Sequence, residues 1–272
     1  MDVIWFVATP DPQQGNTTFR SARIVERRDL SDDLWVIRVD PDGEFPYRAG
    51  QYATLGIGTA EKHYERPYSI VSAPHEKYPE FFIELVPGGQ VTPRLHRCGV
   101  GDRITLRPTA KGNFALDFSG ERPNHLMVAT VTGVSPFVGF VRSLRHEWKD
   151  TKPVAGHQLY VLEGASRSWE LGYSEELGKL CTEVPWLTYL PTISRQWEDK
   201  TWNGETGRVD DVFRKYADMW NLTPENTCVY LCGHPGMIDS VKGIASRRGW
   251  QQDTVKAEAF FVPHHEGSEI AS

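Results

Sequence analysis

Along the first third of the chain, apolar residues recur at alternate positions in short runs. Phe19–Arg27, Leu34–Val39, Tyr52–Ile57, Tyr68–Val71, Phe81–Leu85 and Arg103–Leu106 each read as a strand. Turn clusters such as Pro41-Asp42-Gly43 and Pro87-Gly88-Gly89 separate them. Short strands at this spacing predict a closed antiparallel barrel. The rhythm changes after Gly120-Glu121-Arg122-Pro123. A buried strand at His125–Thr130 leads to a helix from about Ser135 to Trp148, then strand Gln158–Leu162 and a helix from about Ser168 to Leu180. Strand Trp186–Leu190, helix Val209–Tyr216, strand Thr227–Leu231, helix Met237–Arg247 and strand Val255–Val262 follow. Alternating strands and helices predict a doubly wound parallel sheet. The expected organisation is an arm over residues 1–17, a β-barrel domain over 18–123 and an α/β domain over 124–272.

Composition narrows the function. The chain has 272 residues, enough for two domains, and 39% hydrophobic and 24% charged residues, as in ordinary globular proteins. No apolar run is long enough to cross a bilayer. The N-terminal Met-Asp-Val-Ile-Trp-Phe-Val lacks the basic segment of a signal peptide, so a cytoplasmic location is expected. Cys98, Cys181, Cys228 and Cys232 are too scattered for a disulfide framework or an iron–sulfur cluster. A net charge of −6 argues against nucleic acid as the main partner. Two basic clusters (Arg20, Arg23, Arg27, Arg28; Arg94, Arg97) are either solvated edge charges or a docking patch for an acidic protein. The His264-His265-Glu266-Gly267 stretch reads as exposed tail, with no metal site.

Candidate chemistry lies in four places. Arg66-Pro67-Tyr68-Ser69 sits where a barrel strand is expected to begin; on a strand Arg66 and Tyr68 share a face and Ser69 points the other way. Gly88-Gly89-Gln90-Val91-Thr92 opens a short helix, and glycines followed by a hydroxyl there offer free N–H groups to an anion. Thr132-Gly133-Val134-Ser135-Pro136 follows a buried strand; Gly133 would let a phosphate approach the backbone, and Pro136 suits a first helical turn. Cys232-Gly233 ends a strand and His234-Pro235-Gly236-Met237 opens a helix, at the edge where such sheets bind ligands. Arg167, Arg195 and Arg208 follow strand ends or precede a helix, and arginine pairs well with a phosphate dianion.

These motifs, with Thr130-Val131-Thr132-Gly133-Val134-Ser135-Pro136-Phe137 taken as one, resemble those of the ferredoxin–NADP reductase family, particularly the short bacterial ferredoxin/flavodoxin–NADP reductases, over residues 18–263. The resemblance implies an enzyme with FAD in the barrel and NADP(H) on the parallel sheet, passing electrons between NADPH and a one-electron carrier. Arg66 and Thr92 would bind the FAD pyrophosphate, with Pro67, Gly89 and Val91 in the same motifs. Tyr68 would pack on the isoalloxazine and Ser69 sit near its N5, where Glu258 and Ser69 would assist proton movement. Thr132, Gly133 and Pro136 would face the NADPH pyrophosphate, and Cys232, Gly233 and Met237 the nicotinamide side. Arg167, Arg195 and Arg208 would hold the 2′-phosphate. Phe261 would stack on the adenine and Phe260 lie near the isoalloxazine, so the C-terminal tail contacts FAD. Departures from the pattern are Val131, where a first glycine is usual, and Ser135 for alanine. The implied partner is a ferredoxin or flavodoxin docking on a monomer in the cytoplasm. Alternatives are the reductase component of a multi-component oxygenase and a non-catalytic flavin-binding electron-transfer subunit.

Overall fold

A computed structural model describes residues 19–58, 62–148 and 156–259. Phe260, Phe261 and the expected arm lie outside the described residues. The first sheet is antiparallel, built from β1 (Arg20–Asp29), β2 (Leu34–Asp40), β3 (Tyr52–Gly58), β4 (His63–Ser69), β5 (Glu80–Glu84) and β6 (Arg103–Leu106) in the order β4-β3-β6-β1-β2-β5. Alternation places Ala22, Ile24, Trp35, Ile37, Leu55, Phe81 and Leu106 in one core. Beyond the two outer strands, the Val71 N–H donates to the Glu80 carbonyl at 2.9 Å, which brings the sheet's edges together as the barrel pattern requires. A short helix, α1 (Thr92–Leu95), hangs between β5 and β6.

The motif Arg66–Ser69 lies at the end of β4, not at its beginning. The strand starts at His63 because its polar residues find cross-strand partners. His63 Nε2 meets Thr105 Oγ1 at 2.6 Å, and Arg107 forms two bonds to Glu65 at 2.6 and 2.8 Å. An edge strand with two polar faces gives no clean alternation to read.

The second sheet is parallel, in the order β10-β9-β8-β7-β11-β12. Its strands are β7 (Asn124–Thr130), β8 (Gln158–Ala165), β9 (Leu187–Ile193), β10 (Glu205–Thr206), β11 (Thr227–Gly233) and β12 (Val255–Ala259). Helices α2 (Ser135–Trp148) and α3 (Ser174–Glu183) pack on one face through Phe137, Val141 and Leu177. Helices α4 (Val209–Met219) and α5 (Pro235–Arg247) cover the other through Phe213, Ile238 and Val241. The chain therefore reverses direction between β7 and β11, the switch point where such sheets bind ligands. The helix expected over Ser168–Leu180 is two pieces, a 3-10 turn at Ser168–Glu170 and α3, parted at Gly172, where any Cβ would strike the Phe82 ring at 2.6 Å. β9 runs past Leu190 through Pro191, because β10 pairs only with Thr192 and Ile193 and demands no N–H there.

The two sheets are fastened by one ionic cluster. Arg142 of α2 binds Glu176 at 2.7 and 2.8 Å and Glu80 of β5 at 3.1 Å, while the Tyr173 hydroxyl donates to Glu80 at 2.7 Å. Burial pushes the Glu80 carboxyl up, but Arg142, Tyr173 and Arg38 outweigh it and hold it below the ordinary range.

Candidate functional site

Between the barrel and the carboxyl ends of the parallel strands lies a cleft of about 800 Å³, within the size range of cofactor sites. Its barrel wall comprises Tyr52, Arg66, Pro67, Tyr68 and Ser69, then the segments from Phe82 to Pro87 and from Gly89 to Thr92. The loop after β5 is closed on itself: the Val86 N–H donates to Thr92 Oγ1 at 2.9 Å and the Gly89 N–H to the Val86 carbonyl. Thr92 therefore builds the turn with its hydroxyl while facing the cleft. Tyr68 is half-buried, and its hydroxyl is enclosed with no hydrogen-bond partner among the described residues; burial raises its pKa above the ordinary phenol.

The sheet wall comprises Thr130 at the end of β7 with Val131, Thr132 and Ser135 after it, Gly164–Ser166 at the end of β8, and Ser194 after β9. Arg208, Val209 and Asp210 at the start of α4, His234 and Met237 at α5, and Glu258 and Ala259 in β12 complete it. Val131 takes φ +45°, the left-handed region that a β-branched residue rarely enters. It opens a 3-10 turn, Val131–Val134, and the Ser135 hydroxyl donates to the Thr132 carbonyl at 2.6 Å. Beside it, the His234 N–H donates to Thr130 Oγ1 at 2.9 Å, and His234 Nδ1 caps α5 by accepting from the Gly236 N–H.

Among the described residues, Glu258 is the cleft carboxylate with an orphaned oxygen: its Oε2 is buried without a partner there, and burial pushes the group up to about 7. Such a carboxyl exchanges a proton near neutrality.

The expected site residues divide sharply. Arg66, Pro67, Tyr68, Ser69, Gly89, Val91, Thr92, Thr132, Arg208, Met237 and Glu258 share the cleft. Gly133 does not: a Cβ there would lie 2.2 Å from the Cys232 carbonyl oxygen. The space that the missing Gly133 side chain leaves is taken by β11, so glycine is required there by backbone packing. Gly233, at φ +129°, makes the reciprocal contact, its absent Cβ leaving room for Thr130 Oγ1. Cys232 is wholly enclosed, and burial followed by the nearby Glu258 charge pushes its thiol well up. Pro136 is buried in α2.

Arg167 and Arg195 stand off the cleft wall. Arg167 binds Glu198 through Nε at 2.7 Å and Glu170 through Nη1 at 2.9 Å; Arg195 lies 3.7 Å from Glu198. Arg208 donates to Asp210 at 3.1 Å. Sequence reasoning missed Tyr52, Thr130, Ser166, Ser194, Asp210 and His234. The two serines were signalled, since each follows a parallel strand one position before an arginine already singled out.

Family models for an oxidoreductase FAD-binding domain and an oxidoreductase NAD-binding domain match residues 21–115 and 127–243. The chain is 28% identical over 235 residues to ferredoxin–NADP reductase A of Sorangium cellulosum, covering 84% of this chain and 83% of that protein. It is 28% identical over 249 residues to the xylene/toluene monooxygenase electron transfer component of Pseudomonas putida, covering 89% of this chain but 65% of that one. Among solved structures, a ferredoxin NADP+ reductase from Neisseria gonorrhoeae with bound FAD and NADP superposes with a TM-score of 0.77 at 20% identity, over 90% of this chain and all of that one. That likeness carries the fold.

Proposed function

Since the chain belongs to the ferredoxin–NADP reductase family, we propose that it is a FAD-dependent reductase exchanging electrons between NADPH and a ferredoxin or flavodoxin. It would act as a monomer in the cytoplasm, with FAD held by residues 18–123 and NADP(H) by 124–272, the C-terminal tail contacting FAD. No helix among the described residues is long and apolar enough to cross a membrane.

One observation carries the reading. A single cleft has the barrel as one wall and the switch point of the parallel sheet as the other, and it encloses two polar atoms, Tyr68 Oη and Glu258 Oε2, that nothing among the described residues satisfies. Unpartnered buried polar atoms are rare and mark a missing partner. A flavin between the walls fits this donor set. A bound flavin would supply the redox chemistry, taking an electron pair from the nicotinamide as hydride and passing it on one electron at a time. The protein's work is placement. In this reading Arg66 and Thr92 hold the flavin pyrophosphate, Tyr68 covers the ring, and Thr132, Arg208 and Met237 line the nicotinamide nucleotide's path. Glu258 Oε2 holds a proton at the ring's edge, and the enclosed wall excludes water.

The oxygenase-component reading has less support, because the chain spans 65% of the relative of that kind described above. Purified protein is expected to release FAD on denaturation, to reduce ferricyanide with NADPH and to turn over with ferredoxin. Release of FMN, or no flavin after reconstitution, would sink the proposal.

A further inference from the structure

The two turns beyond β8 and β9 repeat one motif. Arg167-Ser168-Trp169-Glu170 and Arg195-Gln196-Trp197-Glu198 each place a 3-10 turn after a parallel strand, with the tryptophan exposed. The turns are stitched together at their roots, where the Arg195 N–H donates to the Ser166 carbonyl at 2.9 Å and the Ser168 N–H donates to Asp199 at 3.0 Å. Their side chains form one ionic unit. Glu198 takes two bonds from Arg167, which also binds Glu170, and its other oxygen faces Arg195 at 3.7 Å. Nearby, Arg208 is matched by Asp210.

Three arginines thus meet three carboxylates, Glu170, Glu198 and Asp210. A dianion gains from an arginine cluster in proportion to its unspent positive charge, and a carboxylate already bridging two guanidiniums occupies the geometry that phosphate oxygens would take. Of the three carboxylates, only Glu198 bridges two of the arginines. The cleft itself reaches Ser166, Ser194 and Arg208, so a nucleotide extending along it ends beside this unit.

We propose that Glu198 is a specificity-determining residue: by bridging Arg167 and Arg195 it occupies the seat of a ribose 2′-phosphate, so the protein discriminates weakly between NADPH and NADH. This rests on the dinucleotide reading of the cleft. A 2′-phosphate enters only by displacing the Glu198 carboxylate from Arg195, and a 2′-hydroxyl meets a carboxylate ready to accept its hydrogen bond.

The test uses the FAD-loaded protein and two probes that need no turnover, 2′,5′-ADP and 5′-AMP, titrated by calorimetry. Exposed Trp169 and Trp197 give a second readout in fluorescence. Wild type is expected to bind the two within about tenfold of each other. Glu198→Gln keeps the shape, removes the charge next to the phosphate and should tighten 2′,5′-ADP roughly tenfold with 5′-AMP unchanged. Asp210→Asn should shift the same ratio in the same direction, by less, and stands as an independent variant should Glu198→Gln disturb the turn. A wild type preferring 2′,5′-ADP by a hundredfold or more overturns the proposal, as does a Glu198→Gln protein whose ratio is unmoved or falls. Failure of both probes to bind overturns the dinucleotide reading together with this inference.

Discussion

β7 and β11 lie side by side through the middle of the parallel sheet, and their two ends are built on opposite rules. Toward the amino ends His125 and, reaching back from mid-strand, the Tyr230 hydroxyl join a hydrogen-bonded cluster. His125 Nε2 meets His157 Nδ1 at 3.0 Å, His125 Nδ1 meets the Tyr230 hydroxyl at 3.3 Å, and that hydroxyl accepts from the Asp117 N–H at 3.0 Å. Phe118 covers both imidazoles edge-on. Burial, followed by His157, pushes His125 down to about 4, so it stays neutral at physiological pH. At the carboxyl ends the same strands deliver a valine at φ +45°, a glycine at φ +129° and a neighbouring carboxylate with an orphaned oxygen. One end is closed upon itself; the other keeps strain and unmet hydrogen bonds beside a cleft. Departures from local consistency concentrate where a ligand is to complete the structure.

The contrast breaks most visibly at Gly133. Its backbone lies so close to β11 that a Cβ would stand 2.2 Å from the Cys232 carbonyl oxygen and 2.7 Å from its carbon. Gly133→Ala is therefore expected to cost more than about 4 kcal/mol, because backbone must move. Tyr230→Phe, at the amino end, strands the Asp117 N–H and should cost about 1–3 kcal/mol. Urea denaturation of both variants checks the order. Should Tyr230→Phe prove the more damaging, the carboxyl end is not where the packing is tightest.

That pair also marks what the chain's own letters reveal. Arg103–Leu106 and Ser135–Trp148 appear in the structure with the bounds expected from the sequence, the strand by its alternation of buried and less buried residues and the helix by an apolar run that is buried almost throughout its first two turns. The Arg66 and Thr92 motifs reach one cleft because barrel strand and turn are local features with local signals. Gly133 looks the same in a sequence whether its missing side chain makes room for a ligand or for β11. Likewise Arg167 and Arg195 advertise positive charge, and each has a carboxylate three residues on, but the bond from Arg167 to Glu198 forms only through the parallel pairing of β8 and β9. Contacts between distant segments are what sequence reading lacks.

A second test sharpens the comparison from within the sheet. Glu163 of β8 sits between Ala129 of β7 and Pro191 of β9, nearer the carboxyl ends, fully buried. Tyr189 donates to its Oε2 at 2.6 Å, and Oε1 has no partner among the described residues. Burial pushes the group up to about 8, partly opposed by the Tyr189 bond. Because the folded value lies above the unfolded one of about 4.3, the native state holds the proton more tightly. Stability from this group is complete below about pH 4, declines as pH rises and is lost by about pH 8. Glu163→Gln removes that dependence and should stabilise the protein by about 2–4 kcal/mol at pH 8.5, with little gain at pH 5. Melting temperatures at the two pH values decide it. An equal effect at both would mean that Glu163 is ionised in the native protein.

The smallest effect is expected at Val131, where strain and packing oppose each other. A β-branched residue at φ +45° costs on the order of 1–3 kcal/mol, and glycine adopts that conformation without strain. Glycine in turn gives up about 0.5–1 kcal/mol of chain entropy. It also loses the contact of the Val131 side chain with Ala165, Leu171 and Ile193. Because Val131 is only half-buried on that cluster, relief of strain should exceed the loss. Val131→Gly is therefore expected to stabilise the protein by about 1 kcal/mol or less, a shift of a few degrees in Tm at most. Val131 also lines the cleft next to Thr132, so its truncation should tighten NADP+ several-fold while leaving FAD content unchanged. A Val131→Gly protein that melts earlier and binds NADP+ no better would show that the valine earns its conformation by packing, and that this part of the carboxyl end is as self-sufficient as the histidine cluster at the other.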